Sequence, residues 1–151
     1  MADMLDLLVV VFDGAIARFF KGDAGSGLRP AAEMHSGLHP FSRDVGSDRT
    51  GRRFSAAGRH AIQPKHDLHE QEKHDFVLRL VKTLDTAYDQ GAFKGLMLVA
   101  PERSLGEFRK LASARLMRLV RREVPKELTQ YSGHELFERL RPQLSEAVEA
   151  R

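Results

Sequence analysis

Residues 5–21 read LDLLVVVFDGAIARFFK, and this stretch decides the fold. Leu5–Phe12 is an apolar, valine-rich run of strand length. Apart from Asp6 near its start it offers no polar residue, so the strand it predicts is covered on both sides. Asp13-Gly14 ends the run and signals a hairpin turn, because both residues tolerate positive φ. Ala15–Lys21 (AIARFFK) then reads as the returning strand. Gly22–Gly27 (GDAGSG) turns the chain again, and Arg29–Ser36 supplies a third strand. Pro30 has no N–H to donate to a second neighbour, which sends that strand to the sheet edge.

The chain beyond this meander alternates helix and strand. Val77, Leu80, Val81, Leu84 and Tyr88 recur at helical spacing and predict a helix from about Lys65 to Gln90, stopped by Gly91. Leu96–Ala100 (LMLVA) is wholly apolar and ends at Pro101, the pattern of a central parallel strand. Ser104-Leu105-Gly106-Glu107 fits a capping box and places a helix start there, with Leu105, Phe108 and Ala112 on one face. Met117–Val124 fits a continued helix or a fifth strand equally, and Pro125 ends it. Ser132-Gly133-His134-Glu135 is a second capping box, opening a last helix with Leu136, Phe137 and Leu140. The order β-β-β-α-β-α-β-α implies an α/β fold: a mixed five-stranded sheet with helices on both faces, the three-layer ribonuclease H-like topology. Leu5–Phe12 and Leu96–Ala100 are then central, parallel neighbours. A simpler doubly wound sheet is the alternative.

Composition narrows the functional classes. A chain of 151 residues makes one domain, residues 1–151. With 42% hydrophobic and 30% charged residues it is neither a disordered tract nor a membrane span. Its longest apolar run, Leu7–Phe12, falls far short of the roughly 20 residues a spanning helix needs. The opening MADMLD places acids where a signal peptide carries cations, which points to a cytoplasmic protein. The absence of cysteine excludes disulfides, thiol catalysis and sulfur-based zinc sites.

Charge is distributed unevenly. Between Gly27 and His66, seven cations face three acids, although the whole chain carries only +3. Most of the excess sits in a long, Gly-punctuated loop at about 37–64 that lacks any apolar period. It carries Arg43, Arg49, Arg52, Arg53 and Arg59, followed by Lys65. These six are the candidate nucleic-acid-binding residues. A solvated loop kept soluble by its arginines is the competing reading. The loop's length and composition predict mobility. Arg109, Lys110, Arg115, Arg118, Arg121 and Arg122 enlarge the basic surface if they lie on the same side.

Catalytic patterns are sparse. A two-metal nuclease needs several carboxylates at one sheet edge. Asp13 ends the first strand suitably, but the strand at Leu96–Ala100 brings no acid, so Asp13 and Gly14 read as turn or cleft residues. His66, Glu70 and His74 are the candidate metal ligands. On a helix they fall at about −20°, +20° and +60° from Val77, continuing the buried stripe, so they project past the sheet or line a cleft. His69 and His74 are five apart, which turns them away from each other and breaks the metalloprotease pattern. An exposed first helical turn explains the same residues without metal. No G-x-S-x-G elbow or nucleotide fingerprint occurs, so no cofactor and no catalytic residue is expected.

Val9–Phe20 (VVVFDGAIARFF), Asp48–Arg52 (DRTGR), the helix led by His74–Leu84 and Gly95–Arg109 (GLMLVAPERSLGEFR) together resemble the bacterial host-attachment protein family. That family is named for a role in attachment to host cells. It is similar in turn to the central domain of archaeal and eukaryotic class I peptide-chain release factors and of Pelota. In release factors the loop between meander and long helix carries a Gly-Gly-Gln tip that hydrolyses peptidyl-tRNA. Here Thr50–Arg59 reads TGRRFSAAGR, and the loop's single glutamine, Gln63, sits between Ile62 and Pro64. The resemblance therefore implies the scaffold and an affinity for ribosome, tRNA or other RNA, without the tripeptide's chemistry. Two readings from other classes stand beside it. One is a hydrolase, a residual peptidyl-tRNA hydrolase or a metal-assisted one. The other is an adhesion-related factor with protein partners.

Overall fold

The computed structural model describes residues 6–23, 25, 27–36 and 65–149, and the backbone alone of residues 23 and 65–68. Five strands form one sheet: β1 (Leu7–Phe12), β2 (Ile16–Asp23), β3 (Gly27–His35), β4 (Gly95–Val99) and β5 (Val120–Val124). Among the described residues four helices accompany them: α1 (Lys65–Asp89), α2 (Glu102–Leu111), α3 (Ala114–Met117) and α4 (Gly133–Glu149). The strand order is β3-β2-β1-β4-β5. β2 runs antiparallel to β1 and β3, whereas β1, β4 and β5 are parallel. This is the ribonuclease H-like topology, with the two apolar runs as central parallel neighbours, Leu8 opposite Leu96 and Val10 opposite Leu98.

Two-sided burial follows from the strand period of two. Leu8, Val10 and Phe12 of β1 join Leu96 and Leu98 of β4 under α1 and α2, through Val77, Leu80, Leu84, Leu105 and Phe108. The alternate residues Leu7, Val9, Val11, Met97 and Val99 meet Leu136, Leu140, Leu144 and Ala147 of α4 on the opposite face. All six residues of β1 and all five of β4 are buried, which is why neither strand alternates in sequence. β3 is an edge strand, largely exposed, with Pro30 in it as the missing N–H requires. The other edge, β5, carries Arg121, Arg122 and Glu123, charges that discourage pairing with a further strand.

The helix ends show which local signals hold. Past α1, Gly91 adopts φ +78°, and its N–H bonds the Tyr88 carbonyl while Ala92 bonds that of Ala87. That pair of bonds closes the last turn as a Schellman motif. At α4 the capping box is reciprocal: Glu135 N–H donates to Ser132 Oγ at 3.1 Å, and Ser132 N–H donates to Glu135 Oε1 at 3.0 Å.

Two expectations are corrected and one open alternative is decided. The box at Ser104–Glu107 does not form, because α2 starts at Glu102 behind Pro101, and no side chain caps it. Proline's fixed φ favours an early start, which leaves Glu107 a full turn inside the helix. The turn at Asp13-Gly14 uses no positive φ. Instead Asp13 Oδ1 accepts from the N–H groups of Ala15 and Ile16, an Asx-type closure. Of the two alternatives for Met117–Val124 the fifth strand is the one formed: β5 begins at Val120, and the one-turn helix α3 that ends at Met117 is added to the expected order.

Candidate functional site

The parallel strands β1 and β4 end side by side, and their chains leave in opposite directions. β1 turns back into β2, whereas β4 passes through α2 and α3 to β5 on the other side. A sheet opens a crevice where neighbouring connections diverge, beyond the carboxyl ends of the strands. A cleft of about 570 Å³ lies there. The turn after β1 supplies Asp13, Gly14 and Ala15, and Ser36 lines it from the end of β3. α1 contributes His69, Glu70, Glu72, Lys73, His74 and Val77. Pro101, Arg103, Ser104 and Glu107 come from the start of α2, and Glu127 follows β5.

Two polar pairs tie α1 to α2 along this cleft. Arg103 reaches Glu70 at 3.3 Å. One turn further along both helices, His74 Nδ1 donates to Glu107 Oε2 at 2.5 Å. Seventy to seventy-four and 103 to 107 are both steps of four, so one face of each helix makes both pairs. Nδ1 is thereby committed to the carboxylate, and no hydrogen bond to Nε2 occurs among the described residues. The His74 side chain is 42% exposed, open to the cleft. Asp13 is held by its own turn and by Thr129 Oγ1 at 3.4 Å. Gly14 lies so close to α1 that a Cβ there would come within 2.5 Å of Lys73 Cγ.

Of the candidate metal ligands, Glu70 and His74 both line the cleft, the second of the two positions their helical angle allowed. They turn to different partners, Arg103 with Lys73 and Glu107 respectively. The side chain of His66 lies outside the described residues, as does that of Lys65. Among the described residues no three His, Asp or Glu side chains converge to hold a metal ion. Arg43, Arg49, Arg52, Arg53 and Arg59, and with them the expected mobility of the loop, also lie outside the described residues. The chain enters that loop from Ser36 on the cleft wall and leaves it into α1, which forms another wall.

Three of the six cations in the second basic group, Arg109, Arg115 and Arg122, are matched by acids. Arg109 meets Glu123 at 2.7 Å, and Arg115 meets Asp89 at 2.9 Å and Asp85 at 3.2 Å. Hydrogen bonds to Glu123 push the Arg109 guanidinium pKa up, and those to Asp89 and Asp85 do the same for Arg115. Arg122 pairs with Glu146 at 3.1 Å. Sequence reasoning missed Glu107, Arg103 and Lys73 as cleft residues. Glu107 was assigned to a cap, and only the early start of α2 behind Pro101 frees it to face α1.

Among the described residues, no helix is long and apolar enough to cross a membrane. Curated proteins give no significant match to the chain. Among solved structures, 16 chains are significantly similar. The archaeal translation termination factor aRF1 superposes with a TM-score of 0.54 at 15% identity, covering 93% of this chain and 35% of that one. A structure described as an archaeal protein gives 0.46 at 13% identity, over 97% of this chain and 37% of the other. The chain thus spans about a third of the length of the structures it matches, and the likeness to the termination factor is one of fold. The family model for the protein required for attachment to host cells matches residues 8–140, nearly the whole chain, and the protein belongs to that family.

Proposed function

We propose that this protein binds RNA, as ribosome, tRNA or another form, through a contact that performs no chemistry and is made by Arg43, Arg49, Arg52, Arg53, Arg59 and Lys65. The observation that carries this reading is the cationic excess of residues 27–66, most of it in the sequence between β3 and α1, in a fold shared with a translation termination factor. In the second basic group Arg109, Arg115 and Arg122 are matched by carboxylates, which halves the charge it could offer to phosphate. The loop has no Gly-Gly-Gln, and glycine is what lets backbone approach a scissile ester. What remains is electrostatic contact with phosphate, which needs no base-reading motif.

Co-sedimentation with ribosomes and binding to tRNA, each at graded salt, test the reading. Affinity falls by about 0.7 to 0.9 log units per log unit of salt for each phosphate neutralised. Reversing Arg52 and Arg53 to glutamate weakens binding at low salt and flattens the slope. Binding indifferent to salt and to the reversal contradicts the proposal. So does the lack of any association at low salt, which favours a protein partner in attachment.

A further inference from the structure

The cleft holds a second, independent arrangement. His74 is clamped at Nδ1 by Glu107, its Nε2 has no partner among the described residues, and its ring is open to a concave site of about 570 Å³. An imidazole oriented through one nitrogen by a carboxylate, with the other nitrogen facing a cleft, is the arrangement that accepts a proton from a nucleophile. The lining also says what it would act on. Five carboxylates (Asp13, Glu70, Glu72, Glu107 and Glu127) face two fixed cations, Lys73 and Arg103. Such a site repels phosphate esters and other anions and attracts positive charge.

We infer that this cleft is a hydrolytic site for carboxylic esters carrying a positive charge near the carbonyl, with His74 as general base and Glu107 as its positioning residue. Nε2 takes a proton from water as the water oxygen bonds to the carbonyl carbon. The tetrahedral adduct then breaks its bond to the alcohol oxygen, which recovers the proton from His74. Acid and alcohol leave, and no further reactant is consumed. The inference uses none of the arginines of the RNA reading, so each can fail without the other.

The test measures hydrolysis of p-nitrophenyl acetate, its trimethylammonio derivative and p-nitrophenyl hydrogen succinate by the full chain, each rate divided by that in buffer. The expected order is cationic, then neutral, then anionic ester, with the spread shrinking as salt rises. His74→Ala loses about a hundredfold of the enhancement, and added imidazole restores part of it. Glu107→Gln keeps a hydrogen-bonding side chain of the same shape. It lowers kcat by roughly tenfold or more with KM little changed, because it removes orientation rather than binding. His134→Ala, on α4 away from the cleft, leaves the rate unchanged. Circular dichroism confirms that the variants fold, and His74→Gln substitutes if His74→Ala does not. Rates equal to buffer, activity retained without His74, or a preference for the anionic ester each overturn the inference.

Discussion

His74 on α1 and Glu107 on α2 are 33 residues apart in sequence and joined by a 2.5 Å hydrogen bond, one helical turn beyond the Glu70–Arg103 pair. The pairs set the sliding register of the two helices where they wall the cleft. Both are partly exposed, so their worth is positional more than energetic. Glu107→Gln is expected to cost less than about 1 kcal/mol of stability in urea unfolding, the range of exposed ion pairs. A larger loss would make the pair a structural support first.

Stability resides beneath that pair. Phe108 is fully buried and its ring centroid lies 5.7 Å from that of Phe12, joining α2 to the central strand. Phe108→Ala is expected to cost about 3–5 kcal/mol, through lost transfer energy and the cavity left behind. Arg122→Ala, which removes an exposed pair with Glu146, stays within about 0.5 kcal/mol by the same urea measurement.

Gly14 is required by proximity, not by backbone angle. A methyl group there meets Lys73 Cγ at 2.5 Å, and the hairpin tip must lift from α1. Gly14→Ala is expected to destabilise by about 1–3 kcal/mol, as overpacking does. Adding Lys73→Ala removes the clashing methylene and restores most of the loss, a coupling that a double-mutant cycle reads directly.

The capping box of α4 gives a pH prediction. The Ser132 backbone N–H holds the Glu135 carboxyl below the usual carboxylate range, helped by the Ser132 hydroxyl and by nearby Arg139. The folded pKa lies below the unfolded one, so the stabilisation is complete above the unfolded value. It is lost as pH falls through the folded value. Thermal melts from neutral to acid pH should show Glu135→Gln converging on the parent at the acid end. Ser132→Ala costs about 0.5–2 kcal/mol, as loss of an N-cap does.

Sequence alone determined four strands and the central pair, leaving the fifth strand open. Leu7–Phe12 and Gly95–Val99 are apolar at every position, and only strands covered on both faces tolerate that, so central placement was legible from composition. Pro30 marked the edge strand, Gly91 the end of α1, and Ser132 with Glu135 the start of α4. Each is a local constraint that acts through its own backbone. The cleft was half legible. Helical angle directed Glu70 and His74 past the core stripe, but their partners came from another helix.

Only the tertiary structure decided those partners. Pro101 starts α2 two residues before Ser104, and that shift turns Glu107 from a presumed cap into the acceptor for His74. Likewise Arg109, Arg115 and Arg122 looked like free cations until folding brought Glu123, Asp85, Asp89 and Glu146 against them. The reason is physical: periodicity and capping are set by neighbours within a few residues, whereas which charge meets which depends on how helices dock across the sheet.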